Sequence, residues 1–560
     1  MLRIVKVFFV ITAFAICGCS YTQTSLKPIR PGGVDSSPYW NTYSIFFQYP
    51  PILKFKDVSG AKSYSFKVAA DGYLSKIFST KDSRVDLTKV WAQIPENSIV
   101  TVSFFAQDDN GKVLGAGERR SFMKTARFKK GSYPKKKEGY RRAALRIYDY
   151  VFDSSPMKSF RLTGKPDPSY KKNCYPSKMY ASIISMCCGY AKLRPERKTE
   201  IVDFACLLAD YLIKISMPAG TALEYFTPTY ATGFGHSVAE TYKGQTMTLY
   251  PASAGSALAC LSEFIKDDHP EKAKRYLNHA EKIAATFLRI QGDDGTWFAR
   301  LNETTGLPDG LRENREGAMS ESLTRNRAIP THMILFFDKL YEITSKKEYR
   351  KALDASLSYI ERDGGPLATF NWEGQFEDGP PTPPYLNLTM SAPCSYANYV
   401  LQKFPDDKKR LQQALDIARF TEDQFLAWER PLTKDGKYIT KADCPHISEN
   451  MAWRLTTIGD WGVPGVMEQF DCYNPIDCHT GRTAEIFLQL GEILKNAEFI
   501  DKALALCDSI VNKIPEDGNM PTHWMGRHSA KYENWYNCMI ITAQCLERVQ
   551  DMIDASDLIN

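Results

Sequence analysis

Two kinds of apolar helical segment alternate along the chain from about residue 137 to residue 550. In the first kind, apolar residues recur at i, i+3, i+4 and i+7 with charged residues opposite, which is typical of a helix with one face in water. Its six segments are EGYRRAALRIYDYVFD, EIVDFACLLADYLIKI, AKRYLNHAEKIAATFLRI, EYRKALDASLSYIE, KKRLQQALDIARFTEDQFLAW and AEFIDKALALCDSIVNKI. The second kind is rich in Ala, Gly, Ser and Cys and has few charges beyond its first turn, as expected for a helix covered on nearly all sides.

Most segments of the second kind begin at a proline, which is favoured at the first helical position because it has no N–H to leave unpaired. The prolines are Pro176, Pro251, Pro330, Pro393 and Pro475, and a sixth segment, WYNCMIITAQCLERV, lacks one. An exposed helix precedes a covered helix six times over. This internal repeat predicts six helical hairpins with an outer and an inner layer, since short helix connections make neighbours antiparallel.

The lengths of the connections predict where functional residues gather. Connections from an inner to an outer helix are short, as at 194–199, whereas those from an outer to an inner helix are long, at about 218–246, 291–328, 363–387 and 428–473. Long structured loops at one end of a rigid scaffold commonly carry function. Because the inner helices all begin at that end, their unpaired N–H groups favour an anionic ligand there.

Six such hairpins, with turns such as GDDGTW at 292–297 after an outer helix, resemble the six-hairpin glycosidase superfamily. The resemblance covers most of the mature chain and implies a mainly α fold, an (α/α)6 barrel over 137–550 with a short tail at 551–560. It also implies a carbohydrate substrate, since the superfamily includes glucuronidases and unsaturated glucuronyl hydrolases, with polysaccharide lyases and uronate epimerases related by fold. It carries no motif that assigns catalytic residues one by one.

The first 19 residues have the pattern of an export signal, with Arg3 and Lys6 before an apolar run. The end of this run, Ile16-Cys17-Gly18-Cys19, resembles a bacterial lipobox, which implies lipidation of Cys19; an ordinary cleaved signal is the alternative. Residues 20–35 are polar, which predicts a tether between the signal segment and the first folded domain. We therefore expect a protein held by lipid at the outer membrane, on the periplasmic side, because SYTQTS lacks an early acidic cluster.

Residues 36–126 change to an alternation of apolar and polar positions with period 2, which predicts a small antiparallel β-sandwich. The stretch GAKSYSFKVAADGY resembles a fibronectin type III or immunoglobulin-like module. The following basic segment, 127–136, is predicted to be a solvated linker between this domain and the helical domain.

The amino-acid composition limits both the number of cores that the chain can form and the kinds of molecule that it is expected to bind. A 43% hydrophobic and 24% charged chain of 560 residues can bury one large helical core and one small core. The net charge of +6 is small for this length and gives no reason to propose nucleic acid. No C-x-x-C pair or His/Cys spacing indicates zinc, so neither a metal nor a cofactor is predicted.

Candidate catalytic groups are carboxylates that lie among glycines, aromatic residues and amides in the long loops, because glycoside cleavage commonly needs two of them. The segment 458–481 contains no lysine and provides the first three, and two other loops provide the rest. The candidates are Asp471, Asp477, Glu468, Glu240 and Glu321. Asp477 could instead stabilise the N-terminus of its helix, and Glu240 and Glu321 could be loop salt-bridge partners.

Candidate substrate-binding groups are cationic, imidazole and aromatic side chains near the same helix ends. They are Arg325, Arg327, His332, His479, Trp461, Trp372 and Trp297. A guanidinium matches a carboxylate or sulfate in two-point contact, and tryptophan rings stack on sugars. The arginines could instead hold the 291–328 loop through Glu313 or Glu316, and Trp535 and Tyr536 are predicted to be packing residues.

These features support three functions. The first is a glucuronidase-like glycoside hydrolase that acts on uronic-acid-containing glycans by carboxylate acid/base catalysis. The second is a polysaccharide lyase or uronate epimerase on the same fold, in which Arg or His neutralises the uronate carboxylate and Tyr or His moves the C5 proton. The third is a non-catalytic lipoprotein that binds an acidic oligosaccharide or polysaccharide. The sequence does not determine an oligomeric state.

Overall fold

The computed structural model describes most of the chain. The described residues are 45–308, 312–313, 319–320, 327–369, 372, 391–443, 462–468, 474–524 and 534–555, without positions 56, 71, 117–118 and 441. No helix within these ranges is both long enough and apolar enough to cross a membrane.

Twelve long helices alternate between the two layers of a barrel. The outer helices are α1 (Tyr140–Asp153), α3 (Lys198–Ile215), α5 (Pro270–Ile290), α7 (Lys347–Glu361), α9 (Lys408–Gln424) and α11 (Ala497–Lys513). The inner helices are α2 (Pro176–Leu193), α4 (Leu249–Ile265), α6 (Thr331–Thr344), α8 (Ser391–Lys403), α10 (Asp477–Leu494) and α12 (Tyr536–Ala555). Each inner helix packs against the next, and α12 packs against α2, so the inner ring closes. The predicted (α/α)6 barrel is confirmed.

Prolines mark the inner helix starts as predicted, with small differences in position. Pro176 is the first residue of α2, whereas α4 starts at Leu249 and includes Pro251 in its first turn. Pro330 immediately precedes α6, and Pro393 is the third residue of α8. All of these positions lack an intrahelical partner for a backbone N–H, so proline has no hydrogen bond to remove there.

A sheet region precedes the barrel. Its strands are β1 (Phe46–Phe47), β2 (Ile52–Lys54), β3 (Ser63–Ala70), β4 (Leu74–Thr80), β5 (Arg84–Asp86), β6 (Ser98–Gln107), β7 (Val113–Ala116) and β8 (Arg120–Lys124). One sheet has the order β1-β8-β6-β3-β4 with β7 beside β6, and β2 pairs with β5 in a second sheet. Along β3, Tyr64, Phe66 and Val68 are buried and alternate with more exposed residues, as the period of 2 predicts.

The sheet region is fastened to the barrel by buried polar contacts. The backbone N–H of Gln48, next to β1, donates to the Asp423 carboxylate at 3.0 Å, and its side-chain amide donates to the Leu426 carbonyl at 2.7 Å. Tyr49 donates its hydroxyl to Glu422 at 3.0 Å. Glu422 and Asp423 belong to the last turn of α9, so the sheet region packs near the end of an outer helix.

Short strands and turns organise the long loops. Strand β9 (Gln245–Met247) pairs with β10 (Arg300–Asn302), and β11 (Arg312–Glu313) pairs with β12 (Met319–Ser320). Strands β13 (Leu426–Ala427), β14 (Gly465–Met467) and β15 (Pro475–Ile476) form a third small sheet. Additional short helices cover Thr88–Trp91, Ser155–Thr163, Ser237–Thr241 and Pro366–Thr369, with 3₁₀ turns at Lys171–Cys174 and Pro195–Arg197. Strand β15 lies directly before α10 in the chain, and β14 and β15 both pack against that inner helix.

Replacing Gly295 with alanine should destabilise the barrel by about 2–3 kcal/mol. Gly295 lies in the GDDGTW turn with φ of +88°, and a Cβ there would stand 2.3 Å from the carbonyl oxygen of Ala355 on α7. Gly436 is a matched control, because its φ is +79° and its Cβ would meet no atom within 4 Å. Chemical denaturation should show the larger loss for G295A than for G436A; equal losses would contradict the steric argument.

Candidate functional site

The inner helices begin at the end of the barrel that carries the long loops. We call this end the mouth, and its described side chains include Tyr175, Lys178, Tyr250, His332, Glu468, Arg482, His523 and Trp535. Lys178 and His332 lie in the first turns of α2 and α6, while Arg482 lies in the second turn of α10. Side chains from separate hairpins therefore meet at this end, although they are far apart in the sequence.

Two cations of the mouth form no ion pair within the described residues. The Lys178 ammonium lies 4.1 Å from the ring centroid of Trp535 and 5.6 Å from that of Tyr175. Arg482 donates from Nη1 to the Ser391 hydroxyl at 2.6 Å, which fixes the guanidinium against α8. Both side chains are partly exposed, and neither pairs with a carboxylate in the part of the chain that the structure describes.

The two histidines predicted at the mouth are held neutral. Burial, together with the positive charge of Arg482, lowers the pKa of His479 to about 3 and that of His332 to about 4. The Nδ1–H of His479 lies 3.2 Å from the Met467 carbonyl, which ties α10 to β14. His479 is only 3% exposed, whereas His332 is partly exposed and lines a cavity. Of these two histidines, His332 is the one that lines a cavity.

A carboxylate and an imidazole lie beside each other at the end of β14. Glu468 follows β14, and its backbone N–H donates to the Asn474 carbonyl at 3.0 Å, which closes the loop that leads to β15. Its Oε2 lies 3.9 Å from Nδ1 of His523, and the two side chains are 30% and 18% exposed, respectively. His523 Nδ1 also lies 3.0 Å from the Asn474 side-chain nitrogen. Because an amide nitrogen only donates, His523 Nδ1 accepts from Asn474, and Glu468 is a partly exposed carboxylate near this imidazole but beyond hydrogen-bonding distance of Nδ1.

Asp477 lies beneath the mouth rather than in it. The residue is fully buried at the first position of α10, and its Oδ1 accepts the Cys478 backbone N–H at 2.7 Å. The Thr542 side chain also hydrogen-bonds to this carboxyl group. Burial raises the pKa of Asp477 well above its usual value. Its position favours the predicted role at the helix N-terminus over direct contact with a substrate.

A narrow cavity of about 160 Å³ follows the barrel axis below the mouth. Its wall includes Ser182, Ser185, Ser253, Gln544 and His332 from four inner helices. Ser182 and Ser253 donate their hydroxyls to carbonyls four residues earlier in their own helices, at 3.0 Å each. Ligand sites for drug-sized molecules usually enclose roughly 300–1,000 Å³, so this cavity is too small for an oligosaccharide. A glycan would have to lie across the mouth.

Five of the predicted functional residues lie outside the described residues. They are Cys19, Glu321, Arg325, Trp461 and Asp471. Their predicted roles stay predictions.

Four other predicted residues occupy structural positions. Exposed Glu240 accepts the Gly233 N–H at 3.0 Å and so closes a turn of its own loop. Arg327 pairs with Asp294 at 2.9 Å and lies over the Phe298 ring, so it anchors its loop, with Asp294 as the partner. Trp297 and Trp372 are fully buried, and Trp297 also donates to the Phe287 carbonyl at 2.8 Å. Neither ring has a face open to a sugar, which corrects both tryptophans from substrate contacts to core residues.

Sequence reasoning overlooked Lys178, His523 and Trp535. Trp535 was predicted to be a packing residue, and it does pack against the core, but it is also partly exposed, with Lys172 and Lys178 at 4.0 and 4.1 Å from its ring centroid. A signal for Lys178 was present, because a lysine in the first turn of an inner helix, whose other charge is Lys192 in the last turn, points to the mouth. His523 precedes the sixth inner helix and joins Glu468 only through the β-bridge between Ile476 and His523, which the sequence does not reveal.

Three solved structures that align with the chain have low sequence identity and TM-scores below 0.5. No protein-family model matches the sequence, and no curated protein matches it. A family 76 glycoside hydrolase from a bovine Bacteroides thetaiotaomicron strain aligns at 10% identity over 89% of this chain and 96% of its own, with a TM-score of 0.41. A D-mannose isomerase aligns at 11% identity over 73% and 97%, respectively, with a TM-score of 0.46. An unsaturated glucuronyl hydrolase from Streptococcus agalactiae aligns at 12% identity over 73% and 91%, with a TM-score of 0.41. At these values the likeness assigns no activity to the chain.

The neutral histidines predict a loss of stability in mild acid. The folded protein keeps His479 and His332 unprotonated down to pKa values of about 3 and 4, whereas in the unfolded chain histidine takes up a proton near pH 6.5. At pH values between the folded-state and unfolded-state pKa values, the unfolded chain binds more protons than the folded protein. Stability therefore falls as pH falls from about 6.5 to 4, by up to about 1.4 kcal/mol per pH unit for each histidine. Denaturation of wild type and H479N across this window should show a flatter dependence in the variant; an unchanged slope would contradict the assignment.

Proposed function

We propose that the protein is a carbohydrate-active enzyme that hydrolyses glycosidic bonds in uronate-containing oligosaccharides or polysaccharides bound across the mouth. The observation that carries this proposal is the pair of cations, Lys178 and Arg482, that have no carboxylate partner among the described residues. Buried or partly buried charges are normally compensated, so an uncompensated pair in a cleft favours an anionic ligand.

Arg482 suits a uronate carboxylate in particular. Its Nη1 is held by Ser391, so the planar guanidinium is oriented before the ligand arrives, and the donors that Ser391 leaves free can make a two-point contact. Lys178 provides a second positive charge at the same end. The N-termini of the inner helices add to the positive potential.

Trp535 is the aromatic side chain best placed to contact a sugar ring. It is partly exposed and lies 5.5 Å from Tyr175, measured between ring centroids. Sugar C–H faces pack on such rings. We propose that Trp535 replaces the buried Trp297 and Trp372 as the stacking residue.

Glu468 is the proposed acid/base. Its carboxylate is partly exposed, with the His523 imidazole 3.9 Å away, and a carboxyl group in this position can donate or accept the proton of the reacting oxygen. Hydrolysis with two carboxylates needs a second one, about 5–9.5 Å away depending on whether the anomeric configuration is retained or inverted. Asp471 remains the proposed partner because it follows Glu468 by three residues, and Glu321 is the alternative.

β-Elimination is a second candidate, favoured by the same cations. A lyase needs a positive group on the uronate carboxylate and a base for the C5 proton, and His523 at the mouth could serve as that base. This reaction requires no second carboxylate. It therefore differs from hydrolysis in both its product and its response to carboxylate substitutions.

The test is an incubation of the purified protein with a panel of uronate-containing oligosaccharides and their carboxyl-reduced counterparts. New reducing ends and the ultraviolet absorbance of an unsaturated uronate should be followed together. Hydrolysis predicts reducing ends without absorbance, on the acidic substrates only. Absorbance that rises with the reducing ends would replace hydrolysis by elimination, and binding without turnover would leave only a glycan-binding role.

We also propose that the chain is exported and anchored by lipid at Cys19, on the periplasmic side of an outer membrane. The lipobox-like end of the signal segment supports this placement. Metabolic labelling with a fatty acid in a bacterial host should label the wild-type protein and not C19A. Equal labelling of the two would remove the anchor from the proposal.

A further inference from the structure

We propose that Asp477, Cys478 and Cys538 bind one thiophilic divalent cation, such as Zn²⁺, at the base of the mouth. The proposal is independent of the reaction proposed above, because it rests on the geometry of these three side chains alone. The sequence predicts no metal, since the ligands come from two helices about 60 residues apart and form no spacing motif.

The three donor groups converge at the start of two inner helices. Asp477 and Cys478 are the first two residues of α10, and Cys538 is the third residue of α12. Their ligand atoms, one carboxylate oxygen and two sulfurs, all lie within 4.8 Å of one another. A tetrahedral zinc ion with bonds of about 2.0–2.3 Å needs its donors roughly 3.5–3.8 Å apart, which small side-chain rotations reach from this arrangement.

Close packing of α10 on α12 creates this convergence. A Cβ added to Gly481 would stand 3.1 Å from the Cys545 Cβ and 3.7 Å from the Thr542 Cα. Only a residue without a side chain lets the two helices approach this closely. The Gly481 contact lies one turn from the cluster and therefore fixes the spacing between Cys478 and Cys538.

Asp477 is buried beside both cysteines. Its side chain is fully buried, Oδ1 accepts the Cys478 N–H, and the Thr542 side chain hydrogen-bonds to the carboxyl group. The Cys478 and Cys538 side chains hydrogen-bond to each other. A dication would bind a carboxylate oxygen and both sulfurs together, whereas a disulfide would engage the two sulfurs alone.

The types of ligand atom indicate which metal ions the site would prefer. Two thiolates with one carboxylate suit zinc and other thiophilic ions, while Mg²⁺ and Ca²⁺ prefer oxygen ligands alone. Three protein ligands leave a fourth position, as in catalytic rather than structural zinc sites. Cys538 is partly exposed, so that position opens toward the mouth.

The charge balance permits such a site. Two thiolates, one carboxylate and a dication carry a net charge of about −1, and the charges of Lys178, Glu468 and Arg482 all act on Cys538. Glu468 is negative and the other two side chains are positive, so together they add about +1 and balance the metal site.

The experiment uses the purified full chain, stripped of metal with a chelator under reducing conditions. Titration with Co²⁺ should produce a thiolate-to-cobalt charge-transfer band that saturates at one equivalent, and elemental analysis after Zn²⁺ loading should find one zinc per chain. C538S and D477N should lose the band or bind at least tenfold more weakly. C260S, on α4 and away from the cluster, should behave as wild type.

A second readout needs no variant. Zn²⁺ should protect Cys478 and Cys538 from alkylation while leaving the other cysteines unchanged, as measured by peptide mass spectrometry. Absence of a cobalt band in wild type, equal alkylation with and without Zn²⁺, or a Cys478–Cys538 disulfide in the non-reduced protein would each overturn the proposal.

Discussion

Replacing Glu468 with glutamine should lower kcat for cleavage of a uronate oligosaccharide by roughly 10²- to 10⁴-fold, with little change in KM. Glutamine keeps the size and the hydrogen-bonding capacity of the side chain but cannot accept or deliver a proton. The expected loss is therefore confined to the chemical step. Steady-state kinetics on the acidic substrate identified by the product assay would measure it.

Glu240 provides the matched control for this substitution. It is another of the predicted carboxylates, but it closes a turn by accepting the Gly233 N–H and is exposed. E240Q should retain wild-type kcat. Full activity in E468Q, combined with loss of activity in H523A, would contradict the carboxylate mechanism and support elimination.

Replacing Lys502 with methionine should lower the free energy of unfolding by about 3–5 kcal/mol. Lys502 on α11 pairs with Glu422 on α9 at 2.8 Å, and the two side chains are only 5% and 3% exposed. Glu422 also accepts hydrogen bonds from Tyr49 of the sheet region and from the Trp428 indole at 3.2 Å. The variant would leave a buried carboxylate without a counter-charge. Chemical denaturation followed by tryptophan fluorescence would measure the loss.

Two further variants separate the effect of burial from the effect of the charges. In the double variant E422Q/K502M, the amide oxygen keeps one of the two acceptors, since Tyr49 and Trp428 donate to different oxygens of Glu422. No charge is left buried, so the loss should be smaller than in K502M alone. The exposed pair of Arg350 and Asp354, at 3.0 Å, is the surface control, and R350M should cost at most about 0.5 kcal/mol. Equal losses in K502M and R350M would show that burial does not matter.

The fold was predictable because the spacing of apolar and charged residues along each helix indicates which of its faces are buried. Outer helices such as α5 carry charges on one face, inner helices such as α4 do not, and the alternation repeats along the chain. Prolines located the inner helix starts to within about two residues, since a missing N–H is tolerated only in the first turn. The lengths of the connections then identified the mouth.

The site was less predictable because it depends on contacts between hairpins. Asp477 and Glu468 are nine residues apart in one lysine-free segment, yet one is fully buried and the other is 30% exposed. Trp297 and Trp535 both lie in long loops, but Trp297 is fully buried whereas Trp535 is partly exposed. Such residues have similar neighbours in the sequence, so the sequence does not predict which of them is buried. Their burial is set by the packing of neighbouring helices and small strands.

The most direct test of the central claim is a crystal structure of E468Q with a bound uronate oligosaccharide. The proposed site predicts density across the mouth, with the uronate carboxylate within hydrogen-bonding distance of Arg482 or Lys178 and a sugar ring against Trp535. A second cavity, of about 410 Å³, lies toward the opposite end of the barrel beside Gln402, Glu485 and Arg548. An oligosaccharide bound there or on the sheet region, with an empty mouth, would contradict the assignment of the mouth as the functional site.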